Sequence, residues 1–402
     1  MLPASRPAFL FLLCLLAASH YSAFGATVLP IDMIERVAEA TVSPDGLGDY
    51  ATIQEAIDAI DEGGIVYLSD GVFTGEGNFN LDFLGKSFEL RSTSLVPETC
   101  VIDCGEGPPP GPGRPVTRGI IFNSGESGLA KLTGITIRNG NADYGAALLI
   151  DESHPVITYC NFENNNASSD GGAIWLNDGN PTIQYCRFFG NSAAEFGGAI
   201  EAIGSSVHSM VWDCEFIGNS AGDGGAIDIV AAAQLQIKRC KFYGNSAASN
   251  GGAVFNETSA QLPTKIENCS FSENSAPLGS AVGSVTSDME VWFTIFAFGE
   301  VGTGFYLYPT ARDLPAVHCT DSYGNAGGDW VGNMAALLGV SNNFSADPEF
   351  CGGLGDGNLY LQSDSPCNSY GNNCHYQVGA YASNCGESSS ADLSWSTLKS
   401  LY

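Results

Sequence analysis

The feature that most restricts this chain is an internal repeat. Five segments align without gaps: YCNFENN, YCRFFGN, DCEFIGN, RCKFYGN and NCSFSEN. Their cysteines, Cys160, Cys186, Cys214, Cys240 and Cys269, follow one another at intervals of 26, 28, 26 and 29 residues. Two positions on stand Phe162, Phe188, Phe216, Phe242 and Phe271, and five positions on stand Asn165, Asn191, Asn219, Asn245 and Asn274. Each unit closes on Gly-Gly-Ala and an aliphatic, at Gly171–Ile174, Gly197–Ile200, Gly224–Ile227 and Gly251–Val254, with a degenerate Gly279–Val282 after them. A repeat of this length means a solenoid in which no unit buries its apolar face alone.

The content of the unit decides which solenoid. A leucine-rich repeat has a similar period, but these units carry short β-branched and aromatic runs, alternation of period two and glycine breaks, with no helical stripe. One unit therefore reads as one rung of a parallel β-helix, with three short strands and three turns. Rungs stack about 4.8 Å apart, as strands do in any sheet. Equivalent residues then lie over one another. Phenylalanines stack inside, asparagines form a ladder of amide hydrogen bonds at one turn, and glycines supply positive φ or close approach at another. The cysteines share parity with the phenylalanines and point inward. Five in a column cannot all pair, so buried thiols are favoured over bridges between rungs.

The regular repeats run from about residue 132 to 283, within a β-helix spanning 64–345. Before it, residues 26–63 form an N-terminal cap. There Thr52 and Glu55 make a capping box, and Ile53, Ala56, Ile57 and Ile60 give a short helix one apolar face. The runs Ile65–Leu68, Phe88–Arg91, Val101–Ile102, Gly119–Phe122 and Leu132–Ile137 read as strands, and Gly107–Pro115 as a loop. After the repeat, Val317–Cys319 and Tyr323–Asn325 restore one rung. Cys351, Cys367, Cys374 and Cys385 lie in a Cys-rich C-terminal cap, 346–385, and are expected as disulfide staples, with zinc as the weaker alternative because C-x₂-C spacing is absent. Residues 386–402 are a linker and a tail, with Trp395, Leu398 and Tyr402 on one helical face.

Residues 1–25 read as a signal peptide: Arg6, an apolar run from Ala8 to Ala18, and small residues at Ala23 and Gly25 before the cleavage point. No later stretch is apolar enough for a transmembrane helix. The expected protein is secreted or held at a cell surface, in association with the outer membrane. The chain has 44 Asp and Glu against 15 Lys and Arg, a net charge of −29. That field argues against nucleic acid and against anionic lipid, and leaves calcium, cationic surfaces and neutral glycans as partners.

Three resemblances follow. The pattern C-x-F-x-x-N followed by Gly-Gly-Ala-(Ile/Val) resembles the repeat of the chlamydial polymorphic outer-membrane proteins and related bacterial right-handed β-helices, which implies a surface-exposed adhesin-like protein; no C-terminal membrane barrel is recognisable here. The segment Asp45-Gly46-Leu47-Gly48-Asp49-Tyr50 with Thr52–Ile57 is similar to the opening of pectin-lyase-like and pectinesterase-like β-helices, which supports the fold. The tail SWSTLKSLY is similar to terminal tails of some exported bacterial proteins.

No complete catalytic motif of the polysaccharide lyases, hydrolases or esterases of this fold is present, and the arginines of the repeat body are Arg138, Arg187 and Arg239. The candidate site is the residue after each Gly-Gly-Ala-aliphatic: Trp175, Glu201, Asp228 and Phe255. These are expected to point outward in one stacked file, where aromatics stack on sugar rings and carboxylates bind hydroxyls or calcium. Glu201 and Asp228 are also the candidates for a catalytic pair, since neighbouring rungs approach the carboxyl separation of retaining glycosidases, about 5 Å. The alternative is an ordinary solvated strand face. Asp170 and Asp223, before Gly-Gly, are calcium candidates or ordinary turn residues. No cofactor is required, and calcium is compatible with these positions. Three functions remain open: a non-catalytic glycan-binding or adhesin-like surface protein, a pectate-lyase-like polysaccharide lyase or hydrolase, and a structural envelope protein.

Overall fold

The computed structural model describes residues 37–105, 116–205, 207–258, 262–352, 355, 357–383 and 385. The expected signal peptide, the loop at 107–115 and the terminal tail lie outside the described residues.

The chain coils into a parallel β-helix whose strands form three long sheets. Sheet A has eleven strands, sheet B ten and sheet C nine, and consecutive members are one rung apart in sequence. All the strand ladders are parallel, and those of sheets A, B and C keep one register, so Phe162 lies on Phe188, Phe188 on Phe216, Phe216 on Phe242 and Phe242 on Phe271. Their rings stack at centroid distances of 4.9, 4.7, 4.8 and 4.4 Å. The five cysteines of the column are buried free thiols. Burial of such a column is what lets each rung hide its apolar face on its neighbours.

The three-strand rung needs a correction. The regular rungs carry a fourth short strand, at Asn141–Tyr144, Asn166–Asp170, Ser192–Ala193, Ser220–Asp223 and Ser246–Asn250, and these build sheet D. The cause is the asparagine turn. Each buried Asn bends the chain out of sheet B, and the Ser/Ala residues after it stay extended long enough to pair between rungs. The run Leu132–Ile137 likewise resolves into two strands, Lys131–Thr133 and Thr136–Arg138, hinged at Gly134 with φ +69°.

The N-terminal end is closed by α1, Ile53–Ala59, with the capping box of Thr52 and Glu55 formed and Ile53, Ala56 and Ile57 buried. At the other end only one pair forms within the cysteine cluster. Cys351 bonds Cys385, but Cys374 reaches back to Cys319 on the last rung. Cys367 stays a buried thiol, 3.4 Å from Asp321 Oδ2. The C-terminal segment is thus tied to the coil itself. Among the described residues no helix is long and apolar enough to cross a membrane.

Candidate functional site

Sheet C carries the candidate residues. Strand alternation turns Ile174, Ile200, Ile227 and Val254 into the core and the next residue to the opposite face. The register aligns Trp175 with Glu201, Glu201 with Asp228 and Asp228 with Phe255, and continues through Gly283 to Tyr306. From Trp175 to Tyr306 is five rung steps, about 24 Å.

The file is formed as expected, but its exposure is not. Trp175 is half-buried, whereas Glu201 is 3%, Asp228 0% and Phe255 1% exposed. Phe255 is therefore no open sugar platform. The reason lies in the Gly-Gly turn. The first glycine has positive φ in every regular rung (Gly171 +59°, Gly197 +62°, Gly224 +59°, Gly251 +56°), and the turn folds down onto the strand that follows. A Cβ on Gly224 would lie 2.9 Å from Asp228 Cα, and one on Gly251 would lie 2.8 Å from Phe255 Cα. Only glycine permits this approach.

Sheet D supplies a second file beside the first. Its strands end at Tyr144, which pairs with Asp170, and at Asp223, which pairs with Phe196 on one side and Asn250 on the other. The Gly171 N–H donates to the Phe196 carbonyl at 2.8 Å and links the two halves. Aromatic contacts join the files at both ends. The Tyr144 and Trp175 rings lie 5.6 Å apart, and the Tyr308 ring lies 6.5 Å from Phe255 while its hydroxyl donates to Asn250 Oδ1 at 2.6 Å. Tyr144 is 43% exposed, and Asp170, Asp223, Glu257, Tyr306 and Tyr308 are part-exposed. The two files thus run side by side, with the buried acids Glu201 and Asp228 in one, the part-exposed acids Asp170 and Asp223 in the other, and aromatics at the ends.

The carboxyls are poorly satisfied. Both oxygens of Asp228, Glu201 Oε2 and Asp170 Oδ1 are buried without a hydrogen-bond partner. Burial pushes Asp228 well above the ordinary carboxyl range, and the neighbouring charges of Glu257, Glu201, Asp223 and Asp170 add to it. Burial, then Asp170, pushes Glu201 up to about 8, against a hydrogen bond from Trp175. Asp170, Asp223 and Glu257 are raised in the same direction, each chiefly by burial. Glu201 therefore holds a proton near neutral pH, and Asp228 is shifted in the same direction.

The three arginines of the repeat body stand elsewhere, each in an ion pair: Arg138 with Asp103 at 2.8 Å, Arg187 with Glu215 at 3.2 Å, and Arg239 with Asp213 at 2.5 Å. Asp170 and Asp223 occupy equivalent ends of sheet D strands. Among the described residues no three His, Cys, Asp or Glu side chains converge as metal ligands. Sequence reasoning missed Tyr144, Glu257, Tyr306 and Tyr308. Only Tyr144 had a signal, standing before a glycine as Asp170 and Asp223 do.

The family model described as right handed beta helix region matches residues 118–344. No curated protein matches the chain. Similar solved structures include the pectin methylesterase from Aspergillus niger in deglycosylated form, at 14% identity and a TM-score of 0.41, covering 77% of this chain and 90% of that one. The same enzyme in penultimately deglycosylated form follows at 13% identity and 0.39, with the same coverage.

Proposed function

The chain belongs to the right-handed β-helix family, and from that premise we propose that it is an exported, surface-displayed protein that binds polysaccharide along a cleft between sheets C and D, with Glu201 and Asp228 as its floor and Asp170, Asp223 and Glu257 as its rim. The carrying observation is the pair of in-register files, with Trp175 and Tyr144 at one end, Tyr306 and Tyr308 at the other, and carboxyls between. Sugar chains are linear, repeat every few ångströms and combine apolar ring faces with hydroxyl edges. A straight file of aromatics and carboxyls at rung spacing matches that chemistry. The apolar leader read from residues 1–25 and the bonds Cys319–Cys374 and Cys351–Cys385 fit an oxidising, extracellular setting. The resemblance of the repeat to polymorphic outer-membrane proteins supports an adhesin-like use of the surface.

A second reading has one observation in its favour. Glu201, raised to about 8, is protonated at neutral pH, as a general acid for glycoside cleavage must be. A polysaccharide panel on the purified mature protein, with and without calcium, tests both readings. Retention of a glycan with no new chain ends supports binding. New reducing or unsaturated ends make the cleft an active site, and absence of both signals removes the proposal.

A further inference from the structure

Resting on that glycan reading, we infer that the cleft selects polysaccharides carrying free amino groups, so that its ligand is a cationic amino-sugar chain rather than a neutral or uronic-acid one. The floor holds two acids, Glu201 and Asp228, and Asp228 is fully buried with neither oxygen hydrogen-bonded. The rim adds Asp170, Asp223 and Glu257, all part-exposed. The charges acting most strongly on these groups are other carboxyls. Among the described residues, the ion pairs of the protein use none of the five. Arg118, at the Tyr144 end, is committed to the carbonyls of Tyr144 and Gly145.

This arrangement discriminates by charge. A uronate chain would bring carboxylates against carboxylates, on a protein already at −29. A neutral chain leaves the acidic excess uncompensated. Ammonium groups at saccharide spacing offer donors and positive charge to the rim, and their field favours ionisation of the floor acids beneath.

The test compares tetramers that differ in charge: glucosamine, N-acetylglucosamine and galacturonate, with tetralysine as a peptide cation, by calorimetry at low salt and about pH 6. The glucosamine tetramer is expected to bind at least about ten-fold tighter than its N-acetylated counterpart. That preference is expected to disappear in Asp170→Asn/Asp223→Asn. It should also weaken in Glu257→Gln, which leaves the Asn250 bonds to Asp223 intact. Asp58→Asn/Glu62→Gln, on the N-terminal cap, removes as much charge and is expected to keep the preference. Equal binding of both tetramers overturns the inference and leaves the glycan reading standing. Tetralysine binding as tightly, or equal loss in the cap variant, overturns it as well. If no saccharide binds, the inference and the glycan reading fall together.

Discussion

Asn219 donates its side-chain amide to Asn245 Oδ1 at 2.9 Å and to the Phe188 carbonyl at 3.0 Å, while its own Oδ1 accepts both the side-chain and the main-chain N–H of Asn191 at 3.0 Å. The same four-bond pattern recurs at Asn191 and Asn245. Every polar atom of a buried amide is thereby used, which is what makes the residue affordable in the core. Asn219→Ala leaves the Asn191 donors and the Phe188 carbonyl unsatisfied and is expected to cost about 2–3 kcal/mol in chemical denaturation. Asn219→Asp is expected to cost more, because a carboxylate faces two acceptors it cannot donate to.

The acidic floor gives stability a definite pH dependence. Glu201 titrates near 8 in the folded protein and near 4.3 when unfolded, so the native state holds the extra proton between those values. Stability is therefore greatest below the unfolded value and falls as pH rises through about 8. The loss from this group is no more than about 5 kcal/mol. Asp228 acts in the same direction. Thermal unfolding from pH 5 to 9 checks this: Glu201→Gln is expected to flatten the decline and to be the more stable protein at pH 9.

The thiol column should be chemically silent. Cys160, Cys186, Cys214, Cys240 and Cys269 are buried, so a reagent in solution cannot reach them. Iodoacetamide labelling followed by mass spectrometry is expected to leave all five unmodified in the native protein and to modify all five in denaturant without reductant. Loss of labelling in denaturant would mean that they are paired.

The C-terminal segment is stapled to the coil from outside its own cluster. Cys374→Ser with Cys319→Ser removes a link closing 55 residues and is expected to cost about 2–4 kcal/mol. Hydrogen exchange should locate the loss: increased exchange in 359–383, with the regular rungs at 132–283 unchanged.

What could be read from the residues alone follows from where the repeat is strict. Asn219, Phe216 and Cys214 recur at fixed offsets, so their stacking needed only the rung spacing. The alignment of Glu201 on Asp228 followed in the same way. Their burial did not, because it depends on sheet D and on how far the Gly224 turn folds down, which no periodicity reports. Tyr306 and Tyr308 sit after the Gly-Gly-Ala pattern has decayed, and only the register through Gly283 reveals that they prolong the file. The Cys319–Cys374 bond joins a rung to a cap, and spacing carries no information on a contact of that kind.

The most direct test of the cleft is hydroxyl-radical footprinting of the protein with the glycan it retains. The account predicts reduced oxidation at Trp175, Tyr144, Tyr306 and Tyr308, with Trp212 and Trp292 on sheet A unaffected. Protection at Trp212 and Trp292 instead, with the cleft aromatics unchanged, would contradict it.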